Sequence, residues 1–218
     1  MAELVTIPIS FFELTIDYES PAIKLLMDRA GIIQGVFEAL KPWNPGADDI
    51  EAHTTGKNSE QGVTFKLPLK RVAFFVGMAS CRLTRDDVDW GAVEETTAIL
   101  DAALSTLTRL GGISIAAQRA SVSLHIQPRT MPFMELLNPF VSPHLAGLEN
   151  EPIKTMAAVA KWGKRKVTID GSGAVANGVF LRFEREFERS STHEEMAHQL
   201  WNDERELFKI LGVEEDRG

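Results

Sequence analysis

The chain has 218 residues, of which 44% are hydrophobic and 25% are charged, the composition of an ordinary globular protein with a core. Its formal net charge of −8 at pH 7 argues against a protein whose main task is to hold the phosphate backbone of nucleic acid. The single cysteine, Cys81, cannot form an intramolecular disulfide, and neither a basic leader segment nor a long apolar run is present. We therefore expect a cytoplasmic protein with no membrane partner.

The first portion of the chain, residues 1–130, predicts an α+β arrangement that opens with a strand. Apolar side chains there alternate with polar ones, at Phe12, Leu14, Ile16 and Tyr18. Ser20 and Pro21 then form a cap and first-turn pair for a helix that ends at Pro42. Three strand candidates follow, at residues 50–55, 63–67 and 72–83.

A second helix is predicted from residue 90 to residue 110. Asp87 or Asp89 can cap its start, and Gly111 with Gly112 supplies a left-handed stop. The apolar positions of the next strand change parity between residues 117 and 122, which predicts a bulge near residues 118–120. The first portion then has the order β-α-β-β-β-α-β.

Residues 131–152 are predicted to form a proline-rich connection, and residues 153–218 a β-hairpin followed by a C-terminal helix in the same domain. Strands are expected at residues 153–162, 166–170 and 175–187, and the helix at residues 193–211. The helix start carries two overlapping capping-box signals, Ser191 with Glu194 and Thr192 with Glu195.

Together these elements predict the α+β class, with a mainly antiparallel curved sheet and three main helices packed on one side. The repeated order of strand, helix, hairpin and helix is compatible with two related β-α layers. We find no residue-level repeat that would establish such a relation.

Motifs for catalysis, metal or phosphate do not occur at the spacing that their chemistry requires, so we predict no cofactor. His193 and His198 are five residues apart, whereas zinc chelation from one helix face needs a spacing of four. The glycines at positions 171, 173 and 178 precede a strand, whereas phosphate loops open onto a helix. A hairpin turn explains these glycines better.

One concentrated basic cluster lies at a predicted hairpin tip, and an aromatic ring stands inside it. Its members are Lys161, Trp162, Lys164, Arg165 and Lys166. A ring among cations can stack on a base or a sugar and hold an anion. The alternative is a solvated turn whose lysines keep strand edges from aggregating, and we favour it.

Arg119 and His125 lie on the polar side of a predicted strand. This side can line a polar cleft, or it can be the solvated face that antiparallel sheets commonly leave in water, which is our default interpretation. If Arg119 and His125 converge with the basic hairpin at residues 161–166, they would hold a small anionic ligand.

Two functional classes fit these observations. The first is a non-catalytic protein-binding or assembly module of a cytosolic complex, which uses the sheet edge, the basic hairpin tip and the final helix to engage a protein partner or a second copy. The segment 182–217 holds 11 acidic and 6 basic residues, which suits a basic partner surface. The second class is an enzyme or sensor that binds a small anionic ligand through Arg119, His125 and the basic hairpin. We favour the self-associating module, since no catalytic group is recognised.

Overall fold

The computed structural model describes residues 2–54, 61–140 and 157–216. The chain divides into two compact units, each assembled from separate stretches of sequence. The central unit comprises residues 11–120 and 186–198, and the terminal unit comprises residues 1–10, 121–185 and 199–218. Several long elements therefore contribute residues to both units.

The central unit contains four complete β-strands and parts of two long strands that it shares with the terminal unit. Its elements in chain order are β1 (Glu3–Tyr18), α1 (Lys24–Met27), α2 (Arg29–Leu40), β2 (Ile50–His53), β3 (Gly62–Leu67), β4 (Val72–Gly77), β5 (Ser80–Asp86), α3 (Val93–Thr106) and β6 (Ile115–Pro128). Hydrogen bonding gives the strand order β2-β3-β4-β5-β1-β6. The pairs from β2 to β1 are all antiparallel.

The core of the central unit lies between its strands and the helices α2 and α3, which pack against each other. Helix α2 buries Ile32, Val36 and Leu40, and helix α3 buries Ile99, Leu100 and Ala103. Strands β3, β4 and β5 bury alternate residues, as Val63, Phe65 and Leu67 do in β3. Because alternate residues of a strand point to opposite faces, the helices cover one face of these strands.

The terminal unit contains the first part of β1, the second part of β6, and the elements that follow. These are α4 (Phe133–Leu137), β7 (Ala157–Trp162), β8 (Arg165–Gly171), β9 (Val179–Phe187), α5 (His193–Leu211) and β10 (Val213–Glu215), although residues 186–187 of β9 and 193–198 of α5 belong to the central unit. The strand order is β10-β1-β6-β9-β8-β7, in which β10 runs parallel to β1 and the hairpins β7-β8 and β8-β9 are antiparallel. The predicted α+β class with a mainly antiparallel sheet is confirmed.

The last helix begins and ends where the sequence predicts. Thr192 and Glu195 form the reciprocal capping box, with the Thr192 N–H donating to Oε2 of Glu195 at 3.0 Å and the Glu195 N–H donating to Oγ1 of Thr192 at 3.2 Å. This pair satisfies two of the backbone donors that a helix start leaves without partners. Of the two capping signals in the sequence, the structure uses the second.

The strand predicted at residues 72–83 is a hairpin, so the first portion of the chain has one strand more than its predicted order. Strand β4 ends at Gly77, and β5 begins at Ser80. The register pairs Val76 with Cys81 across the turn. The error has a physical origin: the apolar run of β4 continues into the turn at Met78 and Ala79, and Gly77 is the main residue there that sequence patterns recognise as a break.

The first predicted helix is interrupted near its start. Asp28 separates α1 from α2, and its side chain accepts a hydrogen bond from the Gly31 N–H at 3.1 Å. The working cap of the long helix is thus Asp28, not the predicted pair Ser20 and Pro21. Asp28 satisfies an N–H group in the first turn of α2 as well as a serine would. Because it lies within a run of apolar residues at helical spacing, the sequence pattern does not reveal that the helix is interrupted there.

Strand β6 runs without interruption through residues 118–120, where the sequence predicts a change of parity, and the opposite parity expected before residue 118 is absent. The strand buries its even-numbered residues from Gln118 to Pro128 and also Ser121 and Ser123, whereas residues 115–117 are all half-buried. Gln118 is a polar residue at a buried position, so it interrupts the apolar pattern of the sequence although the strand itself continues.

Parts of three predicted segments lie outside the described residues. These are residue 55 of the strand predicted at 50–55, residues 141–152 of the proline-rich connection and residues 153–156 of the following strand. The helices within the described ranges are too short or too polar to cross a membrane.

Candidate functional site

The hairpin β7-β8 turns tightly at the predicted basic cluster. Trp162 pairs with Arg165, so the turn has only two residues, Gly163 and Lys164. Gly163 has a φ of +58°, while Lys164 is not among the residues with positive φ. Positive φ at the first turn position alone is typical of a type II′ turn, which matches the natural twist of paired strands. The turn therefore fixes the register of β7 against β8.

Strand β7 is an apolar edge strand that is exposed on both faces. Five of its six residues are exposed and one is half-buried. Val159 and Trp162, on opposite faces, keep 63% and 50% of their surface in solvent. Among the described strands, only β8 pairs with β7. Natural proteins usually shorten, charge or cover such edges, because unpaired N–H and C=O groups bind other strands.

A pocket of about 390 Å³ lies beside the hairpin, against α5. Its apolar lining consists of Trp162, Val167, Phe183, Leu207 and Ile210. Ile210 is 63% exposed, although it lies on a helix whose other apolar residues are mostly buried. Ile210 of α5 thus adds a second exposed apolar side chain beside those of the edge strand β7.

The arginine of the hairpin tip is held by acidic residues of α5. Arg165 Nη1 lies 3.5 Å from Oδ1 of Asp203 and 3.8 Å from Oε2 of Glu206. Asp203 also accepts from Arg185 Nη2 at 3.0 Å. Burial raises the pKa of Asp203, and the two arginines oppose that change. These contacts fasten the hairpin to α5 and leave Arg165 facing carboxylates.

Lys166 is also paired with a carboxylate. Its Nζ lies 2.7 Å from Oε2 of Glu184 on β9. The other oxygen of this carboxylate, Oε1, lies 3.1 Å from Arg182 Nη2. Burial works against the charged form of Glu184, but Lys166 and Arg182 outweigh it and lower the pKa. Lys161 lies opposite Lys166 in the register and is exposed.

Arg119 belongs to the central unit and is paired with Asp17. Its Nη2 lies 2.8 Å from Oδ2 of Asp17, and 54% of the arginine side chain is exposed. Such exposed pairs contribute little to stability. The pairing shows, however, that Arg119 already faces an anion within its own unit.

His125 belongs to the terminal unit, where it holds the loop between β8 and β9. Its Nδ1 lies 2.7 Å from Oγ of Ser172, and this oxygen accepts from the N–H groups of Ala174 at 3.2 Å and Val175 at 2.8 Å. With two backbone donors on its oxygen, the serine hydroxyl is placed to donate its own hydrogen to Nδ1, an arrangement that favours the neutral imidazole with its proton on Nε2. Burial also lowers the pKa of His125. This loop explains why β9 starts at Val179 instead of the predicted residue 175.

The structure brings together part of the predicted site. Trp162, Arg165 and Lys166 line one pocket, and Lys161 and Lys164 adjoin them on the hairpin. Arg119 and His125 lie on one strand but in different units. Sequence analysis missed Val159, Ile210, Asp203 and Glu206, which have no local motif. The spacing of Leu207 and Ile210 on one helix side is the only signal that points to any of them. Among the described residues, no cluster of His, Cys, Asp and Glu can hold a metal ion.

No protein-family model matches the chain, and a search of curated proteins finds no match. Among solved structures, the chain matches the crystal structure of the regulatory subunit of aspartate kinase from Thermus flavus. The match has 14% sequence identity and a TM-score of 0.24, and it covers 92% of this chain and 99% of the other. A likeness of this size carries no argument about function.

Proposed function

We propose that the chain is a non-catalytic assembly module that self-associates, with the free edge of β7 accepting the same strand of a second copy. The observation that carries the proposal is the exposure of an apolar strand on both faces, at Val159 and Trp162. Adding a strand to an edge satisfies its backbone groups and buries its side chains in one step.

The backbone groups that point outward follow from the turn. In a hairpin with a two-residue turn, the flanking pair Trp162 and Arg165 exchanges backbone hydrogen bonds, and hydrogen-bonded pairs then alternate along the strands. The N–H and C=O groups of Ala157, Val159 and Lys161 therefore point away from β8. These are the groups that a second strand would contact.

Side-chain sizes favour one antiparallel register for two copies of β7. With Ala160 opposite Ala160 of the second copy, Trp162 of each copy lies opposite Ala158 of the other, so that a large ring meets a small side chain. Val159 then lies opposite Lys161. A register centred on Lys161 would place two like charges directly opposite each other, which is destabilising.

The alternative function, an anionic ligand held by Arg119, His125 and the basic hairpin, has less support. Arg165, Lys166 and Arg119 each face a carboxylate of the same chain. An anionic ligand would have to displace these partners. The ion pairs instead neutralise the surface beside β7, which suits contact with another protein surface.

The proposal is tested by Val159→Pro, with Val159→Thr as the matched control. Proline removes the outward N–H while leaving the β7-β8 hydrogen bonds in place, as is tolerated on edge strands. Threonine keeps both the N–H and the branched shape. Sedimentation velocity over a concentration series should show a dimer for wild type and V159T and a monomer for V159P, with similar melting temperatures. A wild type that stays monomeric, or a dimer that survives V159P, would contradict the proposal.

A further inference from the structure

The central unit contains an open, mainly apolar pocket between α2 and the strands β3 and β4. Its walls include Leu25, Ile33, Val36, Val63, Val76 and Met78. Small-molecule sites share this mainly apolar character, with a few polar groups that fix orientation. All of the pocket's walls lie within one unit, and none belongs to the edge described above.

One arginine lies at this pocket without a carboxylate partner in the described part of the chain. Arg29 lines the pocket and is half-buried, and its Nη2 donates to the Gly62 carbonyl oxygen at 3.2 Å. A guanidinium carries five N–H donors, and the Gly62 carbonyl occupies one of them. By contrast, Arg119 and Arg165 are in ion pairs with carboxylates.

We propose that this pocket binds a small organic anion with an apolar tail, of the class of medium-chain monocarboxylates. The tail would lie against the walls from α2, β3 and β4, and the carboxylate would accept hydrogen bonds from Arg29. Guanidinium and carboxylate match each other in plane and in donor spacing, which gives this pair its directionality. The binding is reversible and involves no covalent step.

The test compares sodium decanoate with decanol, which has the same tail and no charge, below the concentration at which either aggregates. Arg29→Met keeps an unbranched apolar stem and removes the charge, and Arg109→Met on an exposed site makes the same change in net charge elsewhere in the central unit. Isothermal titration should show decanoate binding about 10- to 100-fold weaker to R29M than to wild type or R109M. Decanol affinity should be the same in all three.

A second variant fills the pocket without changing charge. Ile33→Trp should weaken decanoate and decanol alike, and circular dichroism establishes whether it folds. Equal decanoate affinity for R29M and R109M, or no decanoate binding to a folded wild type, would overturn the inference. The dimer-disrupting variant V159P should bind decanoate as wild type does, because the two sites share no residue.

Discussion

Gln118→Leu should destabilise the protein by removing a hub of buried hydrogen bonds. Gln118 is 1% exposed, and its Nε2 lies 3.1, 3.2 and 3.3 Å from the carbonyl oxygens of Glu188, Arg189 and Ser191. Its Oε1 lies 3.2 Å from Nε2 of His193. The side-chain amide thus holds the segment that leads into α5.

The magnitude follows from the number of bonds and from access to water. An amide nitrogen has two hydrogens, so the three carbonyls share two donated bonds, and His193 supplies a third bond. At about 1 kcal/mol each, these bonds contribute roughly 3 kcal/mol. Glu188 and Arg189 are exposed residues, so water can replace part of the loss. We therefore expect the free energy of unfolding to fall by about 2 kcal/mol.

Urea denaturation followed by circular dichroism measures this change. The midpoint should fall while the slope stays constant, because leucine has a similar volume and the folded surface is unchanged. Gln127→Leu is the matched control, since Gln127 makes one hydrogen bond, to the Ala176 carbonyl at 3.0 Å, at a more exposed site. A Gln118→Leu variant within about 0.5 kcal/mol of wild type would refute the reasoning.

Three further predictions concern single groups. Burial raises the pKa of the Cys81 thiol to about 12, so iodoacetamide should label it only after unfolding in urea, and rapid labelling of the folded protein would contradict its burial. Hydrogen bonds from Thr130 lower the pKa of Glu3, so the stability it provides is complete above the pKa of an unfolded glutamate and is lost as pH falls through the lower, folded value. Wild type should therefore exceed Glu3→Gln in melting temperature near pH 6 by more than near pH 3, and an equal difference at both would count against this. Gly163→Val should cost about 1 kcal/mol or more, because φ is +58° there, and should weaken dimerisation in sedimentation; unchanged stability would mean that the turn adapts.

The elements that sequence analysis predicts well are those with local signals. The helix α5 begins at the Thr192 and Glu195 capping box, and the stop at Gly112, with a φ of +66°, matches the left-handed end predicted after the second helix. Each signal depends on neighbours within a few residues. Sequence patterns record such neighbours directly.

The features that sequence analysis misses depend on distant partners. Gln118 occupies a core position because carbonyls about 70 residues away satisfy its amide, whereas a pattern of apolar residues treats it as a break. Asp203 is likewise indistinguishable from other acidic residues of α5 until Arg165 and Arg185 lie beside it. The hairpin tip was therefore predictable, but the partners of its cations were not.

The lysines of the hairpin bear on both interpretations that the sequence leaves open. A lysine on an edge strand commonly prevents pairing with other chains, which would make the hairpin a protected turn. Lys166, however, is occupied by Glu184, and Lys161 is the only charged side chain on β7. One lysine beside Val159 and Trp162 leaves most of the edge apolar. In the proposed dimer, Lys161 would oppose a register that places it opposite Lys161 of the second copy and would tolerate one that places it opposite Val159. On this proposal, Lys161 would select between registers and would not prevent association.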